Sequence, residues 1–241
     1  MYYRYRLYLT FFSLMVLFLP ACSQKPGNDQ NNNSAVLFLD DRKGDANSPF
    51  VRVFNAIPKI QLDVFVNEKA IFANVPFASL TSYTKLTDRQ TIRFMVCRAG
   101  DASKPLIERV ETIGQGHHYT VVALPGTREQ DPAITILSDS SNPPPVDQVR
   151  IRFINASPGI GDADLYSTNR ELLFQNVPYE SEGGYGNFPP PRGIEVRAED
   201  DTRIARNSNV GFQGGRSYTI VVVGHPPKVR AISLEDEIGA D

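Results

Sequence analysis

Val51-Arg52-Val53-Phe54-Asn55-Ala56 and Ile151-Arg152-Phe153-Ile154-Asn155-Ala156 are one strand written twice, each closed by an Asn-Ala-x-Pro turn at Pro58 and Pro158. Four further pairs follow in the same order. Asn74-Val75-Pro76-Phe77 is echoed by Asn176-Val177-Pro178-Tyr179, and Tyr83 by Tyr185. Tyr119-Thr120-Val121-Val122 is echoed by Tyr218-Thr219-Ile220-Val221, and Ile134 to Asp139 by Ala231 to Asp236. All separations fall between 97 and 102. One module of about 90 residues is therefore present twice, over residues 49–140 and 148–237.

Within each module the apolar period is two. Leu62, Val64 and Val66 alternate with Asp63, Phe65 and Asn67, and Ile194, Val196 and Ala198 with Glu195, Arg197 and Glu199. That alternation marks strands with one buried face. The runs Tyr119 to Leu124 and Tyr218 to Val223 are continuously apolar, β-branched and bounded by glycines, and read as central strands. No segment sustains a helical stripe. The fold class is all-β, a β-sandwich of about seven strands per module. The Asn-Ala-x-Pro and Asn-Val-Pro repeats read as corners, the asparagine bonding backbone ahead of it and the proline ending the pairing. Residues 141–147, with Pro143, Pro144 and Pro145, predict a semi-rigid spacer and an elongated two-module rod.

Upstream, Arg4 and Arg6 precede an apolar run, Leu7 to Leu19, too short to span a bilayer comfortably. Leu19-Pro20-Ala21-Cys22 resembles a bacterial lipobox, which predicts a signal peptide at 1–21 and acylation of Cys22. Residues 22–48 begin polar and low in complexity, as a flexible tether would. Ser23 after the cysteine implies the outer membrane in a Gram-negative cell, and otherwise the outer face of the plasma membrane.

The formal net charge is −2, with no long block of one sign, so nucleic acid is not an expected partner. With Cys22 lipidated, Cys97 has no partner for an intramolecular disulfide, and it reads as a small buried residue. The expected cofactor is none.

The strand ending in Asn-Ala-x-Pro, the Leu62-Asp-Val-Phe-Val-Asn67 run, the Asn-Val-Pro-Phe corner and the Tyr-Thr-Val-Val strand together resemble the DUF4397 family. That resemblance implies exported bacterial proteins, often tandem lipoproteins, with immunoglobulin-like sandwiches and no catalytic residues. The second copy departs from the pattern at Asp162-Ala-Asp-Leu-Tyr166, and at Gly183-Gly-Tyr-Gly186 with Pro189 to Pro191.

No zinc-protease, paired-cysteine, phosphate-loop or nucleophile-elbow motif occurs. His117 and His118 are adjacent in a strand and face opposite ways, which does not suit chelation of one metal. Asp162 and Asp164 are the candidate Ca²⁺ ligands, on one side of an extended segment. Phe65, Tyr166, Tyr185 and Phe188 are the candidate binding aromatics, placed where alternation turns side chains outward. The expectation is a non-enzymatic binding or spacer module contacting an extracytoplasmic protein or glycan, the alternative being an accessory hydrolase or Ca²⁺-dependent protein with its site at a sandwich end.

Overall fold

The computed structural model describes residues 48–236 except 88–89, 128–130, 141, 199 and 209. Among them there are sixteen strands and no α-helix. The first half contributes β1 (Phe50–Asn55), β2 (Leu62–Val66), β3 (Lys69–Val75), β4 (Thr84–Lys85), β5 (Gln90–Arg98), β6 (Asp101–Ile113), β7 (His118–Leu124) and β8 (Ala133–Asp139). The second contributes β9 (Val149–Ala156), β10 (Ala163–Ser167), β11 (Leu172–Val177), β12 (Glu182–Phe188), β13 (Ile194–Ala198), β14 (Arg203–Asn207), β15 (Ser217–His225) and β16 (Lys228–Glu235).

Each half forms two four-stranded sheets, ordered β4-β1-β7-β8 and β3-β2-β5-β6, then β12-β9-β15-β16 and β11-β10-β13-β14. The two halves thus have the same topology, including a parallel pairing of the first strand with the seventh. Eight strands per module replace the seven or so expected, the weak two-residue β4 being one of them. The architecture is all-β, two tandem immunoglobulin-like sandwiches.

The alternation of the sequence explains the layers. In the first sandwich Val51 and Val53 of β1 and Val121 and Ala123 of β7 meet Leu62, Val64 and Val66 of β2 and Ile92, Phe94 and Val96 of β5. The second repeats this with Ile151, Phe153, Ile220 and Val222 against Leu165, Ile194 and Val196. Several intervening positions of β1, β7, β9 and β15 are apolar as well. Phe54, Ala56, Val122, Leu124, Ile154, Ala156, Val221 and Val223 make a third buried cluster that belongs to both repeats. This is why the Tyr119 and Tyr218 runs are continuously apolar: their sheets are covered on both faces. Each large aliphatic so buried contributes roughly 1.5–3 kcal/mol.

The two repeats are therefore packed sheet against sheet, and the expected rod of spaced modules is not what forms. The linker does not act as a spacer either. Gln148 N–H donates to the Pro145 carbonyl at 2.9 Å and Gly215 N–H to the Gln148 carbonyl at 2.8 Å. Arg150 clasps the Ser140 hydroxyl at 2.8 Å and the Asn142 carbonyl at 2.6 Å.

The repeated asparagines act as expected and reach further. Asn55 Oδ1 accepts from Ile57 N–H at 2.8 Å, and its amide donates to the carbonyls of Ile60 at 3.0 Å and Val75 at 2.9 Å. Asn155 does the same with Ser157, Gly161 and Val177. Each ties the end of one sheet to a strand of the opposite sheet, from a fully buried position. Asn55→Ala or Asn155→Ala strands buried polar backbone atoms and is expected to cost about 2–4 kcal/mol in denaturant unfolding, whereas a surface change such as Asn187→Ala stays within about 0.5 kcal/mol.

Candidate functional site

The seam between the repeats holds two features, an internal charge network and an open cleft. The network is built from the one charged residue in each of the matched stretches, residues 51–56 and 151–156. Arg52 on β1 pairs across the seam with Asp236, just beyond β16, at 2.5 Å. Arg152 on β9 pairs with Asp139 at the end of β8, at 2.6 Å. All four side chains are essentially excluded from solvent. Thr120 accepts from Arg52 Nε at 2.8 Å and donates to Asp139 at 2.7 Å, and Thr219 links Arg152 to Asp236 in the same way. Tyr83 donates to Asp139 at 2.8 Å and Tyr185 to Asp236 at 3.1 Å. The Arg52 guanidinium lies 4.6 Å from the centroid of the Tyr83 ring, and that of Arg152 lies 4.7 Å from the centroid of the Tyr185 ring. These Arg, Asp, Thr and Tyr partners each have their repeat counterpart on the other side, the pattern of an isologous interface within one chain.

Among the described residues no buried side-chain nitrogen or oxygen lacks a hydrogen-bond partner. A charge network so fully satisfied fixes the register of the two repeats. It also spends its ionisable groups on one another. Burial first, then Asp139, pushes the Tyr83 phenol above its usual range. Burial likewise raises Tyr185 against the opposing pull of Arg152. The folded protein holds both protons where an unfolded chain begins to release them, near pH 10. Their stabilisation is thus complete below about pH 10 and is lost as pH rises through the folded values. The denaturant midpoint is expected to fall above about pH 10, less steeply in Tyr83→Phe/Tyr185→Phe.

The cleft, of about 650 Å³, opens elsewhere on the same seam. Pro58 and Lys59, in the turn after β1, and Phe77, after β3, form its first-repeat wall. The β15–β16 hairpin forms the other, with Pro226 and Pro227 at its tip between paired His225 and Lys228. The Ser157 hydroxyl braces this hairpin through the Gly224 carbonyl at 2.7 Å.

The residues singled out by sequence do not converge. Phe65 and Tyr166, equivalent in the repeats, are half-buried on β2 and β10, on the opposite strand face from the core residues Val64 and Leu165. Arg197 lies 5.1 Å from the centroid of the Tyr166 ring. Tyr185 belongs to the internal network instead, and Phe188 packs on the second core in edge contact with Phe174 at 5.5 Å. Asp164 accepts from Asn176 N–H at 2.7 Å, holding that residue in its left-handed conformation, as Asp63 does for Asn74 at 2.8 Å. Asp162 is half-buried in the β9–β10 turn. Among the described residues no three His, Cys, Asp or Glu side chains gather as a metal-binding group. His118 is stacked on Phe50 at 4.7 Å and edge-on to Tyr83 at 4.8 Å. Cys97 is buried, and burial raises its thiol pKa. Cys22 lies outside the described residues.

Residues 49–166 match the family model described as a domain of unknown function, DUF4397. The chain carries a DUF4397 domain. The DUF4397 match covers the first sandwich and continues through β9 and most of β10, so it includes both network arginines, Arg52 and Arg152. No curated protein matches the sequence. Similar solved structures include one from a study of α-glucan binding by a streptococcal virulence factor, 9% identical, covering 76% of this chain and 96% of that one, with a TM-score of 0.24. Another is a family-26 carbohydrate-binding module of Eubacterium rectale Amy13K in complex with maltoheptaose, 8% identical, covering 80% and 98%, with a TM-score of 0.24. A third is a Bacteroides uniformis protein provisionally described as a cell adhesion protein, 7% identical, covering 80% and 99%, with a TM-score of 0.25. Likeness at these scores carries no argument for the DUF4397 chain's activity.

Proposed function

We propose that this is a lipid-anchored cell-envelope protein whose two repeats act together as one non-enzymatic binding element for an extracytoplasmic protein or glycan. The observation that carries the reading is the shared core with its crossed Arg52–Asp236 and Arg152–Asp139 pairs, which fuses the repeats into a single presenting body. The groups best suited to reaction chemistry have structural work: His118 is stacked between aromatics, Cys97 is buried, and Asp139 and Asp236 are engaged with Arg, Thr and Tyr partners. The lipobox-like Leu19-Pro20-Ala21-Cys22 supports the anchor, since acyl chains contribute about 0.8 kcal/mol per buried methylene and two or more hold stably. In a Gram-negative cell Ser23 directs it to the outer membrane.

The test is affinity capture with crosslinking from native envelopes, comparing the native sequence with Cys22→Ala. The native form is expected in the membrane fraction with a specific partner, and Cys22→Ala in the soluble fraction without the lipid label. A Cys22→Ala protein that stays in the membrane sinks the anchor. A native form that recovers no specific partner sinks the binding role.

A further inference from the structure

We propose that the cleft between the Pro58 turn, Phe77 and the β15–β16 hairpin binds an acidic glycan, a short polysaccharide segment carrying uronate carboxylates. Charge makes the first argument. Lys59, Lys228 and Arg230 line the cleft and none of its lining residues is acidic, in a chain whose formal net charge is −2. Among the described residues none of these three cations is engaged in an ion pair. A local cationic site on a mildly acidic protein is complementary to a carboxylate ligand.

The walls make the second argument. Pro58, Phe77, Pro226 and Pro227 contribute rings to the lining, a chemistry suited to the C–H faces of a sugar ring. The Arg230 guanidinium lies 5.2 Å from the centroid of the Phe77 ring, so the planar fork that best grips a carboxylate sits beside the surface that would carry the ring. The size fits a short segment rather than a protein face, within the usual range for small-ligand clefts. A nucleic acid would call for a cationic track continuing beyond the cleft.

The third argument is the difference between the repeats. Tyr179 stands where the first repeat has Phe77, and its hydroxyl donates across the seam to the Pro125 carbonyl at the end of the β7 run. That side is bridged by a hydrogen bond. Phe77 has no hydroxyl to make the equivalent bond, and its ring lines an open cleft.

The experiment measures binding of the purified full-length chain in detergent to a galacturonate oligosaccharide by calorimetry. A neutral malto-oligosaccharide of equal length, phosphatidylglycerol vesicles and a single-stranded oligonucleotide are the competing probes. The galacturonate is expected to bind, to weaken with added salt, and to lose roughly tenfold in affinity in Arg230→Gln. Phe77→Tyr, which supplies the hydroxyl that Tyr179 uses to bridge the other side, is expected to weaken binding while unfolding like the native chain. Failure of the galacturonate to bind, equal binding of the neutral sugar, or preference for the vesicles or oligonucleotide overturns the proposal. So does unchanged affinity in a folded Lys59→Gln/Lys228→Gln/Arg230→Gln variant. The site deepens the binding reading, and its failure is separable: envelope capture that recovers a specific partner through unchanged cleft variants leaves that reading intact.

Discussion

Asp139→Ala is expected to lower the unfolding free energy by about 3–5 kcal/mol, among the largest effects of any single change in the chain. Among the described residues the carboxylate is the only acidic group within 3 Å of the fully buried Arg152 guanidinium, and it also accepts from Thr120 and Tyr83. Without it Arg152 keeps the Thr219 hydroxyl at 3.0 Å, the Ser138 carbonyl at 3.3 Å, and Glu182 3.6 Å away at the edge of the network. Burial opposes the charge on Arg152, and it is the neighbouring Asp139, Tyr185 and Asp236 that hold its pKa above the usual value. Removing the nearest of them leaves a buried cation whose direct hydrogen-bond partners are neutral and whose closest carboxylate, Glu182, is 3.6 Å away. The penalty for an uncompensated buried charge outweighs the modest net value of the pair itself.

That distinction can be measured. Asp139→Leu with Arg152→Met removes both charges, and the double variant is expected to be less destabilised than the sum of the singles by at least about 1.5 kcal/mol. Denaturant unfolding of the four proteins closes the cycle. Single variants within about 1 kcal/mol of the native chain, with additive effects, would show that the pair contributes little to joining the repeats. Because the pair bridges the repeats and not merely two strands, unfolding of the native chain is expected to be one transition, reported alike by probes in either repeat.

The strands were legible because alternation is a local consequence of the pleat, and the sandwich followed from their number and spacing. What joins the sandwiches was written in the sequence but not readable from one copy. Arg52 and Arg152 stand inside the matched first strands, and Asp139 and Asp236 end the matched last ones. Their pairing crosses between copies, and no periodicity specifies which surface of a module meets which. The continuous apolar runs at Tyr119 and Tyr218 carried the missing signal, since a strand apolar on both faces demands cover on both. Reading the proline-rich linker as a spacer set that demand aside.

Parity also failed where the strand is not regular. Tyr185 follows Gly183 and Gly184, and the pairing of β12 with β9 slips between Glu182 and Tyr185. A register shift reverses which side of the sheet each later residue faces, so an aromatic counted as outward points into the seam. The cleft was invisible for a different reason. Its walls come from Pro58, Phe77 and Arg230, far apart in the chain, and only the stacking of the repeats brings them together.

Gly224→Ala is expected to disrupt that cleft by displacing the hairpin that builds half of it. Gly224 has φ of 99°, and a Cβ there would lie 2.3 Å from the Lys228 carbonyl oxygen, a backbone atom that cannot swing aside. Left-handed strain alone would cost about 1 kcal/mol, and Gly211 supplies the comparison, with φ of 68° and open space where its Cβ would go. Gly211→Ala is therefore expected to lose about 1 kcal/mol and Gly224→Ala about 2–4 kcal/mol, because only the second must also part β15 from β16. The carbonyl of Gly224 is the acceptor for Ser157, so the brace between the hairpin and the β9–β10 turn moves with it. Amide exchange should show the difference directly: faster exchange along Val223 to Val229 in Gly224→Ala, and native rates there in Gly211→Ala. Equal losses in the two variants would mean that conformational strain alone governs both glycines, and that the hairpin accommodates a methyl group without opening.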